Sequence, residues 1–184
     1  MGKIIAPIKV KPFAGLLLSD AALLEEGKKA LESFFGPIDM QSQIIPFSHT
    51  SYYNPEMGEH IHRLWVSFRE LSDPGNLPAW KIESNRLEET WAEKAEGRLL
   101  RHMNIDPGYV SDSKLVLAST KDFSHRIYMS SGIYAEVTLN YRRDKGWQFF
   151  DWTYPDYRER VALDFFTLAR NHLLAARKWQ AEEK

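Results

Sequence analysis

The sequence predicts an α+β fold: a single domain in which a mixed, mostly antiparallel sheet is covered by helices and a long amphipathic helix closes the chain. Three observations predict it. Short apolar or alternating runs are interspersed with few long helical ones, without the regular β–α alternation of a parallel sheet. Two period-2 runs, His125 to Met129 and Ile133 to Tyr141, flank a short loop ending in glycine, which is a hairpin pattern. From Asp156 onward, apolar residues recur at helical spacing. The chain's 184 residues suffice for one sizeable core, and no low-complexity linker or internal repeat divides it.

Phe13 to Ser19 reads as a buried strand, a short apolar run that ends in a residue able to cap a helix. Ser19 or Asp20 then starts a helix. Leu23, Leu24, Leu31, Phe34 and Phe35 share one of its faces, and Gly36-Pro37 ends it. Met40 to Phe47 and Leu64 to Phe68 read as strands, separated by a loop from Ser48 to Glu59 that carries Tyr52, Tyr53, Glu56, Met57 and Gly58. A second helix is expected after Asn85, with Glu88 completing a capping box and Leu87, Trp91 and Ala95 facing inward.

Asp106-Pro107-Gly108 has the composition of a turn. Asp112 to Lys121 is read as a short helix in preference to a strand. In the hairpin, a three-residue loop, Ser130-Ser131-Gly132, sets Arg126 opposite Glu136 and Tyr128 opposite Tyr134. Ile127, Met129, Ala135, Val137 and Leu139 then share the face turned to the core. A turn from Arg142 to Gly146 leads to a third strand, Trp147 to Trp152. The last helix starts near Asp156, with Ala162, Phe165, Phe166, Ala169, Leu173 and Ala176 as its apolar stripe.

Composition excludes several classes of function. The formal net charge of −1 lacks the basic excess of a general nucleic-acid binder. With no cysteine there is no disulfide, no thiolate nucleophile and no sulfur-ligated zinc, which fits a reducing cytoplasm. No apolar stretch is long enough to span a bilayer, and Lys9, Lys11 and two prolines interrupt the N-terminal run, so neither membrane partner nor secretory signal is expected. Gly2 lacks the downstream Ser or Thr that myristoylation needs. There is no Gly-rich phosphate loop ending in Gly-Lys-Ser/Thr, no Gly-x-Gly-x-x-Gly and no Gly-x-Ser-x-Gly, so no cofactor is identified by motif.

The chemistry-bearing residues concentrate in the second half. Arg126 and Glu136, opposed across the hairpin, are either a surface ion pair worth about 0–1 kcal/mol or the rim of an anion pocket. Lys121, His125, Tyr128 and Tyr134 lie close by in sequence and tilt the reading toward a pocket. Asn104, Asp106 and Tyr109 flank the Pro107-Gly108 step; turn duty explains Asp106 but not its two neighbours. Tyr154 and Arg158 bracket Pro155-Asp156, where Asp156 would cap the last helix and Arg158 would attract an anion to the helix N-terminus. The working assignment is a site for a small anionic molecule, phosphate- or nucleotide-like, in the C-terminal half. Lys121, Arg126 and Arg158 hold the charge, Asn104, Asp106, Tyr109, Tyr134 and Tyr154 complete the binding set, and His125 with Glu136 are the acid–base candidates. A protein-interaction surface built on Tyr52-Tyr53 and the 152–157 rings is the alternative. His60 and His62 would share a side of a strand and, with Glu56, could reach one metal; that spacing recurs by chance at exposed strand ends, so no metal site is assigned.

Several stretches resemble one family. They are Tyr52-Tyr53 with Glu56-Met57-Gly58, the run from Asn104 to Tyr109, the run from Lys114 to Tyr128, Gly132 to Leu139, and Trp152-Thr153-Tyr154-Pro155-Asp156-Tyr157-Arg158. Together they resemble the family catalogued as domain of unknown function 4416. The resemblance covers most of the chain. It implies a prokaryotic, cytoplasmic, single-domain protein and brings no activity, cofactor or catalytic residue with it.

Overall fold

A computed structural model describes residues 2–95 and 97–182. Along them run β1 (Lys11–Leu18), α1 (Leu24–Phe35), β2 (Ile38–Gln41), β3 (Ile45–Phe47), α2 (Asn54–Met57), β4 (Ile61–Phe68), α3 (Leu77–Thr90), β5 (Glu93–Ala95) and β6 (Arg98–Leu100). Then come β7 (Met103–Val110), β8 (Lys114–Ser119), β9 (Arg126–Ser130), β10 (Ile133–Arg142), β11 (Gly146–Phe149) and α4 (Arg160–Glu182). Nine strands form one sheet in the order β11-β10-β8-β7-β1-β4-β2, with β3 also on β4 and β9 also on β10. Every pairing in it is antiparallel. The fold class is therefore α+β. No described helix is long and apolar enough to cross a membrane.

β1 lies in the middle of the sheet between β4 and β7, and all eight of its residues are buried, as its apolar run requires. Alternation divides it between two cores. Ala14, Leu16 and Leu18 join Leu64, Val66, Phe68 and Ile105 under α1 and α3, which contribute Leu31, Phe35, Leu77, Trp80 and Leu87. On the other face Phe13, Trp65, Val110 and Leu115 pack against Phe165, Phe166 and Ala169 of α4. Each ring buried there is worth about 1.5–3 kcal/mol relative to exposure. α4 covers only part of that second face. Beyond it the strands turn Leu17, Arg63, Asn104, Asp106, Leu117 and Glu136 toward a cavity.

Several local expectations hold. Asp20 caps the first helical turn through Ala22 N at 2.8 Å, and Gly36 ends α1 at φ 84°. Phe34 departs from the predicted face and is largely exposed. The hairpin has the predicted register, Tyr128 opposite Tyr134 and Arg126 opposite Glu136. Its loop is tighter than expected: Ser130 pairs with Ile133, leaving Ser131 and Gly132 at φ 53° and 76°, the signature of a type I′ turn. The α4 stripe of Ala162, Phe165, Phe166, Ala169 and Leu173 is buried.

Others are corrected. The 40–47 run divides into β2 and β3, both paired to β4. The helix expected after Asn85 begins at Leu77. Asp73 caps the 3-10 turn ahead of it through Gly75 N at 2.7 Å, and Pro78 occupies the first turn, where a missing N–H costs nothing. Asn85 and Glu88 therefore sit mid-helix. Residues 112–121 contain a strand, β8, because Leu115, Val116, Leu117 and Ala118 are buried on both faces between β7 and β10. Of the residues expected on the face turned to the core, Ala135 and Val137 pack against it and Leu139 is buried, but Ile127 and Met129 are exposed because β9 is an edge strand; Arg126 and Glu136 take the other face. Asp156 does not cap the last helix. It lies buried in a 3-10 turn, Pro155–Arg158, ahead of α4.

Asp106-Pro107-Gly108 is not a turn but the middle of β7. β8 pairs with β7 only from Gly108 to Val110, so Pro107 stands where that ladder stops. Gly108 is not among the residues with positive φ. Space demands it instead: a Cβ there would overlap the Val116 carbonyl and lie 2.6 Å from Phe13 Cζ. Gly108→Ala is expected to destabilise by about 1–3 kcal/mol through overpacking, with no change in the urea m-value. An unchanged urea midpoint would show that the two strands can separate freely.

Candidate ligand-binding cavity

The site begins with a fault in the sheet. Past Gly108, β7 continues back to Met103 alone, while β8, paired with β10 along its length, runs on to Ser119 without it. Ile105 thus has no strand neighbour on that side, and its backbone groups need other partners. α3 supplies them: Glu88 Oε1 accepts from Ile105 N at 2.8 Å, and Lys81 Nζ donates to Ile105 O at 2.8 Å. Two charged side chains on the buried stripe of α3 therefore stand where a strand would have been. Burial raises the Glu88 pKa, against the pull of Lys81, the Ile105 amide and Arg101. The fault opens into a cavity of about 670 Å³, within the range of small-molecule sites.

Loop 48–59 forms one wall and presents Tyr52 and Tyr53. It is anchored by His49 to Glu159 (2.6 Å) and by Glu56 to Arg101 (2.6 Å). A second wall is the segment from Tyr154 to Tyr157, whose preceding residues are pinned to β10. Thr153 Oγ1 donates to Thr138 O at 2.6 Å, and Trp152 Nε1 donates to Val137 O at 3.0 Å. This pinning turns Tyr154, Asp156 and Tyr157 to the cavity.

The inner end centres on Arg63, whose side chain is 2% exposed. Its guanidinium packs over the rings of Trp65 (4.8 Å) and Tyr157 (5.1 Å), which themselves meet edge-on. Gly15 makes room for it, since a Cβ there would come within 3.0 Å of Arg63 Nη2 and 2.9 Å of Tyr157 Oη. Asp156 Oδ2 is 2.9 Å from Nε and Asp106 Oδ2 is 3.8 Å from Nη1. These are ion pairs only: Nε and Nη1 make no hydrogen bond of good geometry. Burial opposes the Arg63 charge, but Tyr157, Asp156 and Asp106 raise its pKa overall. Burial likewise raises the Tyr53 and Tyr157 phenols, so both stay protonated. Asn104 Nδ2 donates to Asp106 Oδ2 at 3.0 Å and accepts through Oδ1 from Arg101 at 3.2 Å. Asp106 Oδ1 has Lys81 Nζ at 3.6 Å, beyond hydrogen-bond reach.

The outer end centres on Arg126, also 2% exposed at the side chain. Nε bonds Glu136 Oε2 at 2.8 Å; Nη1 bonds Ser119 Oγ at 2.6 Å and Lys121 O at 3.1 Å; Nη2 bonds Tyr154 Oη at 3.0 Å. Four of the five N–H groups are thereby used. Glu136 is equally committed, for Oε2 also meets His125 Nε2 at 3.1 Å and Oε1 accepts from Thr138 Oγ1 at 3.1 Å. Lys121 differs. Its ammonium touches only the Tyr52 hydroxyl at 3.3 Å and the Tyr52 ring at 4.6 Å, and no carboxylate among the described residues pairs with it.

Of the residues singled out from sequence, Asn104, Asp106, Lys121, Arg126, Glu136 and Tyr154 line this cavity. His125 stands behind Glu136, stacked on Trp152 at 5.1 Å. Tyr109 packs into the core beneath α1 and α3, and Tyr134 meets Tyr128 edge-on at 5.4 Å; neither lines the cavity. Arg158 is occupied with the carbonyls of Phe150, Asp151 and Thr153 at 2.9–3.1 Å and does not line the cavity. Glu56 is bound to Arg101, His60 is exposed at the end of its loop and His62 sits within β4, so the three do not gather as a metal site among the described residues.

The cavity is not confined to the C-terminal half. Arg63, Lys81, Asn85, Tyr52 and Tyr53 come from the first half and were not assigned to it from sequence. Two signals mark them. Arg63 is a charge inside the apolar run of β4, and Lys81 and Glu88 fall seven apart on the apolar stripe of α3 once that helix is begun at Leu77.

Comparison with curated proteins and with solved structures finds no match. The family described as domain of unknown function DUF4416 matches residues 8–173, nearly the whole of the fold just described. The chain belongs to that family.

Proposed function

We propose that the cavity binds a small anionic molecule, phosphate- or nucleotide-like, with its charge seated at the outer end. The observation that carries this is the Lys121 ammonium, standing on the cavity wall without a carboxylate partner beside an Arg126 that has one N–H unused. Glu136, which also lines the cavity, is neutralised there by its ion pair with Arg126. Cationic side chains without acidic competition are a seat for phosphate or carboxylate oxygens. Glu136 acts here as a positioning residue for Arg126.

The interaction-surface reading is less well supported. Tyr52, Tyr53 and Tyr154 line a cleft, and Trp152 is stacked between His125 and Phe150 instead of lying free.

A thermal-shift and calorimetric panel of inorganic phosphate, pyrophosphate, sugar phosphates and nucleotides tests the proposal. A ligand at about 100 times its Kd should stabilise the fold by about 2.7 kcal/mol. Lys121→Ala is expected to weaken the best anion about ten-fold or more, the loss of one charge-assisted hydrogen bond, while shifting unliganded stability by less than about 0.5 kcal/mol because Lys121 is exposed. Equal binding to wild type and variant, or no stabilisation by any anion, would refute the assignment.

A further inference from the structure

We infer that the inner end of the cavity recognises hydroxyl groups, so that the ligand is a phosphorylated polyol or sugar unit, with Asp106 as the residue that selects it. This deepens the anion reading of the outer end and rests on it.

The two ends differ in charge. At the inner end Arg63 and Lys81 face Asp106 and Asp156, and Arg101 is already paired with Glu56 and Glu88. A second anionic group placed there would meet the Asp106 carboxylate at close range. A neutral group would not.

That end also holds polar atoms without hydrogen-bond partners. Arg63 Nη1 is a buried donor, and the Tyr157 hydroxyl, whose oxygen meets Trp65, keeps its own O–H to donate. Asp106 Oδ1 is an acceptor whose nearest cation, Lys81 Nζ, lies 3.6 Å away. All three residues line the cavity, and Arg63 Nη1 and Asp106 Oδ2 are 3.8 Å apart. A donor beside an acceptor is the complement of a hydroxyl, which gives one hydrogen bond and takes others; two neighbouring hydroxyls would span the pair.

An aromatic ring is the poorer guest at this end. Tyr157 stacks on Phe166 at 5.7 Å with an interplanar angle of 7°, and the Arg63 guanidinium covers the ring as well. The Tyr157 ring therefore has both faces covered, whereas hydrogen-bonding atoms beside it are not.

The test uses the whole chain and four phosphates: propyl phosphate, glycerol 3-phosphate, ribose 5-phosphate and adenosine 5′-monophosphate, with affinities from calorimetry. In wild type the three hydroxyl-bearing compounds are expected to bind about ten-fold or more tighter than propyl phosphate, the magnitude of a hydrogen bond to a charged group. In Asp106→Asn that advantage should fall below about three-fold while propyl phosphate affinity stays within about two-fold. Equal affinity for propyl and glycerol phosphates in wild type overturns the inference, as does an advantage that survives Asp106→Asn. The wild-type comparison stands alone if the variant does not fold. Adenosine monophosphate about ten-fold tighter than ribose 5-phosphate would indicate a nucleotide source; parity would indicate a free sugar phosphate, and either supports the hydroxyl reading. If no phosphate binds, the anion reading fails on its own. Unphosphorylated ribose then decides the inner end: stabilisation lost in Asp106→Asn supports it, and no stabilisation overturns it.

Discussion

Arg63→Leu is expected to destabilise the fold by about 3–5 kcal/mol, the usual result of removing one member of a buried ion pair. Asp156, itself buried, would keep its charge with no counter-ion, and Asp106 would lose one of two nearby cations. The space left over Trp65 and Tyr157 adds to the loss, since a leucine fills less of it than the longer arginine side chain does. Urea denaturation measures it directly. The paired change Arg63→Met with Asp156→Leu should recover much of the stability, because it removes both charges and keeps most of the volume. A single variant that lost under about 1 kcal/mol would mean that solvent reaches Asp156 freely, contrary to its burial.

The second large effect concerns Glu136. Glu136→Gln is expected to cost about 3 kcal/mol, the lower end for a broken buried pair. An amide offers one acceptor oxygen where the carboxylate serves Arg126, His125 and Thr138 with two. Arg126 keeps Ser119, the Lys121 carbonyl and Tyr154, which is why the loss should not be larger. Anion binding should weaken with stability, because Arg126 is held in place from below by this carboxylate. A general base would behave oppositely: the melting temperature would hold while only turnover fell. That outcome would overturn the positioning role.

The two buried arginines show what could be read from the chain and what could not. The register that opposes Arg126 to Glu136 follows from alternation and a short glycine-ended loop, and the fold has it. Alternation does not say which of the two faces is buried. Ile127 and Met129 are the more apolar pair, yet they are exposed, because β9 is an edge strand, while Arg126 on its other face is buried against Glu136 and Tyr154. Arg63 was legible only as a charge in an apolar strand. Its partner Asp156 is 93 positions further on, a contact that no local pattern encodes. Asp106-Pro107-Gly108 misled for a related reason. Each residue has the composition of a turn, but Pro107 marks the end of one ladder and Gly108 the close approach of another, and both facts belong to neighbouring strands.

Local chemistry along the chain is enough to set the α+β class, the hairpin register, the glycine stop after α1 and the apolar stripe of the closing helix. Backbone torsions, caps and side-chain periodicity act over a few residues and need no partner to be named. The parting of β7 from β8, the two α3 side chains that serve Ile105 in a strand's place, and the cavity joining Arg63 to Arg126 were settled only by packing. Buried polar groups must find partners wherever the fold brings them, and the free energy that ranks those choices is set by desolvation in the assembled core.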